Sequence, residues 1–169
     1  MAERTIIMGG KPKTLSGREL KVGDLAPDIE LVGPDLAPVR LSSLRGKVVI
    51  VSTVTSLDTS VCDSETHRFN DEVTKFGDDV AVLTVSADLP YAMRRWATEN
   101  AIDNVVLASD HRATAFGQAY GVLVEDLRLL ARAVFVVDRE GTIRYIQIRP
   151  NNGEEPDYDE VFEAVKALL

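Results

Sequence analysis

The sequence predicts an α/β fold: a mixed central sheet flanked by helices, with an N-terminal β-hairpin. Three observations carry that expectation. Short β-branched apolar runs, Val48-Val49-Ile50-Val51 and Val80 to Val85, alternate with segments of helical period, the pattern of parallel strands joined by crossover helices. Two strand-like runs near the end, Ala133 to Asp138 and Thr142 to Ile148, are separated only by Arg139-Glu140-Gly141, so the sheet must also carry antiparallel strands. Near the start, Gly9-Gly10 interrupts two extended segments and supplies the positive φ of a tight hairpin turn. At 169 residues and 45% hydrophobic content, with no repeat, linker or low-complexity stretch, one domain over residues 1–169 is expected.

Taken in order, Thr5 to Met8 and Lys11 to Leu15 form the first hairpin. Ser16 to Asp28 is a connector closed by Ala26-Pro27-Asp28. Ile29 to Val32 and Pro38 to Leu41 flank the turn Gly33-Pro34-Asp35, a second hairpin, and Ser42 to Lys47 reads as a helical turn feeding the central strand. Cys62, Thr66, Phe69, Val73 and Phe76 follow at spacings of four, three, four and three, one face of an amphipathic helix that Gly77-Asp78-Asp79 stops. Asp88 is placed to cap a helix running through Trp96, with Pro90 tolerated in its first turn. Asn104 to Ala108 is a short strand. Asp110 caps a helix through Tyr120, and Gly121 ends it. The last helix has Pro156 at its start, acidic Asp157, Asp159 and Glu160 in its first turn and Lys166 near its end. This order fits a thioredoxin-like sandwich, and pattern alone does not separate that from a small flavodoxin-like fold.

The chemistry centres on Cys62. It lies where the buried strand from Val48 breaks into Ser52-Thr53-Val54-Thr55-Ser56-Leu57-Asp58-Thr59-Ser60 and then enters the helix. At a helix start, unpaired backbone N–H groups and the positive end of the helix dipole favour a thiolate. The competing reading is a buried, inert thiol, because Cys62 also lies on the apolar stripe and free cysteine is commonly packed as a small hydrophobe. Asp63 and Glu65 would disfavour the thiolate if their carboxylates approached it.

Composition narrows the classes. A net charge of −8 with no basic run argues against nucleic-acid binding. One cysteine excludes an internal disulfide and a Cys-based zinc site, and His67 and His111 lack metal-ligand spacing, so neither metal nor cofactor is expected. Met1 to Thr5 lacks the pattern of a signal peptide, and no apolar run approaches the roughly 18 residues of a membrane span. A soluble, cytoplasmic protein in a reducing compartment suits the free thiol.

Four blocks in order then give a resemblance. Ser56-Leu57-Asp58-Thr59-Ser60-Val61-Cys62, Val85 to Ala92, Gln118-Ala119-Tyr120-Gly121-Val122 and Ala131 to Asp138 resemble the bacterial thiol peroxidases, a branch of the peroxiredoxins. The N-terminal hairpin and Pro156-Asp157-Tyr158 extend the likeness over nearly the whole chain. It implies a thioredoxin-like fold and thiol-dependent reduction of hydrogen peroxide and organic hydroperoxides. Cys62 would be the peroxidatic thiolate that becomes a sulfenic acid, Thr59 would set its hydroxyl beside sulfur and peroxide, and Arg132 would bring a permanent charge to both. Without the family, Thr59 reads as a helix cap and Arg132 as a residue in apolar company that wants a partner. Implied partners are a hydroperoxide, an external thiol (a thioredoxin-like protein or a small thiol) and a second copy in a homodimer.

Two positions depart from the branch. Thr55 stands where a proline usually precedes the peroxidatic cysteine by seven residues, and Ala97 where the resolving cysteine belongs. The usual intramolecular disulfide therefore cannot form. A peroxide sensor or interaction protein of the same fold, oxidised slowly at Cys62 without useful turnover, is the alternative.

Overall fold

The computed structural model describes residues 3–169; the first two residues of the segment read for a targeting signal lie outside them. A seven-stranded sheet organises the chain around β5 (Val48–Thr53), whose six residues are all buried. β5 pairs in parallel with β6 (Val80–Ser86), and β6 pairs in parallel with β7 (Val106–Ser109). On the other side β10 (Ala133–Val137) runs antiparallel to β5, and β11 (Ile143–Ile148) closes that edge antiparallel to β10. The far edge is the two-residue hairpin of β3 (Leu31–Val32) and β4 (Pro38–Val39), with β3 antiparallel to β7. The mixed sheet predicted from the crossovers and the closing hairpin is thus present, and its helices lie on both faces.

On one face α1 (Ser60–Val73) and α4 (Tyr158–Lys166) bury Phe69, Val73, Val161, Phe162 and Val165 against Val48, Ile50, Val82, Val134 and Val136. α2 (Pro90–Glu99) extends that layer, setting Met93 and Trp96 beside Leu107. On the other face α3 (Ala115–Tyr120) stacks Phe116 on Tyr120, which meets Phe135 edge-on. The N-terminal hairpin, β1 (Arg4–Met8) and β2 (Lys11–Ser16), covers this face too, as part of a separate four-stranded sheet. Gly9 and Gly10 both take the positive φ that its two-residue turn demands.

That second sheet is completed by β8 (Leu123–Val124) and β9 (Leu129–Leu130), two strands that the sequence pattern does not predict. Each is two residues long, too short to show a period. Asp88 is a further difference. Leu89 occupies the cap position of α2, and the Asp88 carboxylate turns instead to Ser56, Leu57 and Ser86. Asp110 differs too: Thr114 occupies the cap position of α3, which starts at Ala115, and the Asp110 carboxylate reaches in from four residues earlier to accept from the Phe116 and Gly117 N–H groups at 3.0 and 2.8 Å.

Gly121 ends α3 in the left-handed region, φ 67°, and a Cβ there would lie 2.2 Å from the Arg18 carbonyl oxygen. The helix end and the connector after β2 are therefore packed through the missing side chain. Gly121→Ala should cost more than the ~1 kcal/mol of an unstrained backbone change. Urea unfolding should show a lowered midpoint at unchanged slope.

Candidate active site

β5 delivers the chain to a turn over residues 54–59, and α1 begins directly after it. The turn is made by Ser56 and Thr59: the Ser56 carbonyl accepts from the Thr59 N–H at 3.1 Å and from the Thr59 hydroxyl at 2.8 Å. The first helical bond follows, Asp63 N–H to Thr59 carbonyl at 2.9 Å. The N–H groups of Ser60, Val61 and Cys62 thus have no acceptor within the helix and leave its positive end open. Cys62 is the third helical residue and is fully buried, packed with Val54, Leu57, Met93 and Trp96. Both readings of its position hold at once: it is a core residue and it sits at a helix start.

Arg132 connects β9 to β10 and is only 2% exposed. Its Nη1 stands 3.3 Å from Cys62 Sγ and 2.6 Å from Glu65 Oε2, donating to both. Asn152 fixes the rest of it. The Asn152 carbonyl accepts from Arg132 Nε at 2.9 Å, and its side-chain oxygen accepts from the Arg132 backbone N–H at 2.7 Å. Burial disfavours the guanidinium charge, but the Glu65 carboxylate and Cys62 sulfur more than restore it, so its pKa stands above the ordinary arginine value. The sequence-expected pair Cys62 and Arg132, far apart in the chain, is brought into contact.

Glu65 is the site residue that sequence reasoning missed as a partner. It is fully buried, with Ser52 Oγ donating to its other oxygen at 2.9 Å. Burial pushes its pKa up to about 7, against the pull of Arg132 and Ser52. Its signal was present: Cys62, Glu65 and Phe69 are spaced by three and four, so Glu65 falls on the apolar stripe of α1. A carboxyl on a buried stripe and an arginine in an apolar run are each other's most economical partners.

Thr59 lies at the cap position of α1, yet its hydroxyl neither caps the helix nor bonds the sulfur; it donates back to Ser56. Its lone pairs remain available as acceptors. Thr55, at the position of the family's usual proline, donates to the Leu130 carbonyl at 3.0 Å and accepts from Asn152 Nδ2 at 2.8 Å. It therefore orients the residue that cradles Arg132, a bond that proline lacks the hydroxyl to make. Ala97 is half-buried against the Cys62 cluster. Trp96 Nε1 donates to Asp63 at 3.0 Å, and His67 bonds Asn100, so these residues join α1 to α2. Among the described residues no helix is long and apolar enough to cross a membrane.

A lone thiol at a helix start, held against a buried arginine on a mixed sheet with helices on both faces, defines a thiol-based redox protein of thioredoxin-like fold. The sequence model of the Redoxin family matches residues 21–162. A thiol peroxidase of Bacillus subtilis (strain 168) is 48% identical over 169 residues, all of this chain and 99% of the relative. A thiol peroxidase of Halalkalibacterium halodurans is 46% identical, covering 98% of this chain and 99% of its own length. The crystal structure of a peroxiredoxin-like protein from Aquifex aeolicus superposes with a TM-score of 0.90 at 44% identity over 98% of each chain. The chain belongs to the Redoxin family, among its thiol peroxidases.

Glu65 gives the site a pH signature. The folded carboxyl titrates at about 7 and regains its ordinary value of 4.5 on unfolding. Between those values the folded chain holds the extra proton, so stability falls as pH rises through the window, by roughly 3 kcal/mol. Glu65→Gln does not titrate. Its urea stability, measured from pH 4.5 to 7.5, should be flatter than the wild-type profile by about that amount.

Proposed function

We propose that this chain reduces hydroperoxides at Cys62, with a thiol from outside the chain returning the cysteine to its reduced state. The single observation that carries the reading is the fully buried Cys62 sulfur 3.3 Å from the Arg132 guanidinium at the start of α1. In the chemical step the thiolate attacks one peroxide oxygen, the O–O bond breaks, and the departing oxygen takes a proton and leaves as water or an alcohol. Cys62 is left as a sulfenic acid, its sulfur oxidised by two electrons as the peroxide is reduced. Arg132 Nη1 stabilises the thiolate beforehand, and with the open N–H groups of Val61 and Cys62 it meets the charge that develops on the leaving oxygen. Thr59, at the mouth of the turn, offers its lone pairs to the peroxide's proton.

Glu65 moderates this arrangement. Ionised, it competes with the sulfur for Nη1; protonated, it leaves the guanidinium to the thiolate. Its elevated pKa keeps a substantial protonated fraction near neutral pH, which reconciles a buried carboxyl with thiol activation.

Return to the thiol requires two external sulfurs. One condenses with the sulfenic acid, releasing water and forming a mixed disulfide; the second cleaves that disulfide. A disulfide needs Cα atoms within about 7 Å, so a protein thiol reaches Cys62 only after the 54–61 segment moves aside. We read the working form as a homodimer in a reducing, cytoplasmic setting. The sensor alternative is disfavoured, because the full-length relatives named above are thiol peroxidases.

Stopped-flow reaction of the reduced protein with hydrogen peroxide and an organic hydroperoxide tests the reading against Cys62→Ser. A rate constant near that of a free thiol would sink it. Arg132→Met should slow the peroxide step by two to three orders of magnitude, the scale of losing one charge donor to a transition state. Arg132→Lys should recover only part, since a point charge does not reproduce the fork that holds Glu65, Cys62 and Asn152 together.

Without added thiol, one equivalent of peroxide should yield monomeric-mass protein carrying one added oxygen, and excess peroxide the sulfinic acid. Intact mass under denaturing, non-reducing conditions reads this directly. A dominant covalent dimer would show that Cys62 resolves against a second copy.

A further inference from the structure

We propose that Asp88 is a positioning residue for the peroxide reaction: its carboxylate latches the 54–59 turn closed over Cys62, and release of that latch governs access of the external thiol. The inference rests on the reading of Cys62 as the peroxide-reacting thiol. Ser86-Ala87-Asp88-Leu89-Pro90 stands at the β6–α2 junction, and the helix cap expected of Asp88 is not its job. Oδ1 accepts from the Ser56 hydroxyl at 2.7 Å; Oδ2 accepts from the Leu57 N–H at 2.9 Å and the Ser86 hydroxyl at 2.7 Å. The anchor itself is rigid: the Ser109 hydroxyl on β7 donates to the Asp88 carbonyl, and the Asp88 N–H donates to Ser86 Oγ at 3.2 Å. Two sheet strands thus hold one carboxylate, and that carboxylate holds the turn.

From the turn the constraint passes to the site by short steps. Ser56 bonded to Asp88 also carries both Thr59 contacts, and the Thr59 carbonyl takes the first helical bond of α1. Leu57, whose N–H is tied to Asp88, is 3% exposed and packs in the apolar cluster that contains Cys62. Without the carboxylate, the Leu57 N–H and the Ser56 hydroxyl lose their partner; Val54 and Thr55 stay tied to Val85, Leu130 and Asn152, but residues 56–59 keep only Leu57's apolar contacts to hold them down. Closed, the turn keeps Thr59 at the cap position of α1 and the Cys62 sulfur buried; open, it exposes the sulfur.

The two half-reactions therefore make opposite demands on the turn, and this gives the test its discriminating readout. In Asp88→Ala, the second-order rate of Cys62 oxidation by hydrogen peroxide should fall about 10- to 100-fold, the usual effect of a misplacement near 1 Å. Alkylation of the reduced protein by a bulky maleimide should rise several-fold. Asp88→Asn, which keeps one acceptor oxygen, should lie between wild type and alanine in both rates. Gly121→Ala supplies a control, since it destabilises the opposite face of the sheet and should move neither rate.

The proposal is overturned if both rates in Asp88→Ala match the wild type, or if Gly121→Ala shifts them equally. Should Asp88→Ala not fold, Ser56→Ala removes the Oδ1 bond, with the Asp58 N–H contact to the same hydroxyl, and carries the same two readouts. Failure of the underlying reading is distinguishable: a wild-type peroxide rate no faster than a free thiol rejects the peroxidase, while maleimide access still reports the latch.

Discussion

Everything at this site depends on one buried cation. Arg132 has almost no contact with solvent, and isolating a guanidinium from water costs several kcal/mol unless its donors and charge are matched. The surrounding fold supplies the match: Glu65 from α1, the Cys62 sulfur from the same helix, and the carbonyl of Asn152 from the segment after β11. Taking away one member of such a set costs about 3–5 kcal/mol, because the remaining charge is left uncompensated. α1, β10 and the loop that carries Asn152 are therefore held in mutual register by charge as well as by the apolar cluster around Phe69.

The same economy underlies the proposed reactivity. One Nη1 faces two acidic groups, the Cys62 sulfur and the Glu65 carboxyl. Burial pushes the Glu65 carboxyl up to about 7 against the pull of Arg132, and the open N–H groups of the first turn lie at Cys62 rather than at Glu65. Thr55 contributes from the other side. A proline there would be stiffer, but its ring has no hydroxyl, and in this chain the hydroxyl is what ties Asn152 to the end of β5.

The fold was legible wherever a segment was long enough to show a period or a turn signal. β5, the glycine hairpin and the closing hairpin stand within a residue or two of where Val48 to Val51, Gly9-Gly10 and Arg139 to Gly141 predicted them; α1 stands where Cys62 to Val73 placed it but gives way after Val73 to 3₁₀ turns over Thr74–Asp79. β8 and β9 escaped because a pair of residues has no pattern. The site was legible in part. Cys62 could be placed at its junction, but the same sequence fitted an inert core thiol, and its contact with Arg132, 70 residues away, has no local pattern to announce it. Glu65 and Arg132 each looked out of place in apolar surroundings, and the rule that buried charges are paired joins them. Asp88 was misread because an aspartate before a proline-led helix has a local explanation, and local explanations are tried before a contact 31 residues away.

The lone cysteine then sets what the architecture must do next. Ala97, where the branch keeps its second thiol, puts a methyl group against the Cys62 cluster, and the Trp96–Asp63 and His67–Asn100 bonds fasten α2 to α1. A chain that had to carry a sulfur from α2 to Cys62 would need those helices to part. With an external thiol, as proposed, this chain makes no such demand on its α1–α2 pair. On the proposed reading, motion falls to the short turn between β5 and α1, where Ser56 and Leu57 are tied to the Asp88 carboxylate at the β6–α2 junction while Val54 and Thr55 stay anchored to Val85, Leu130 and Asn152. Loss of the internal thiol thus shifts the burden of opening from two helices to one short turn.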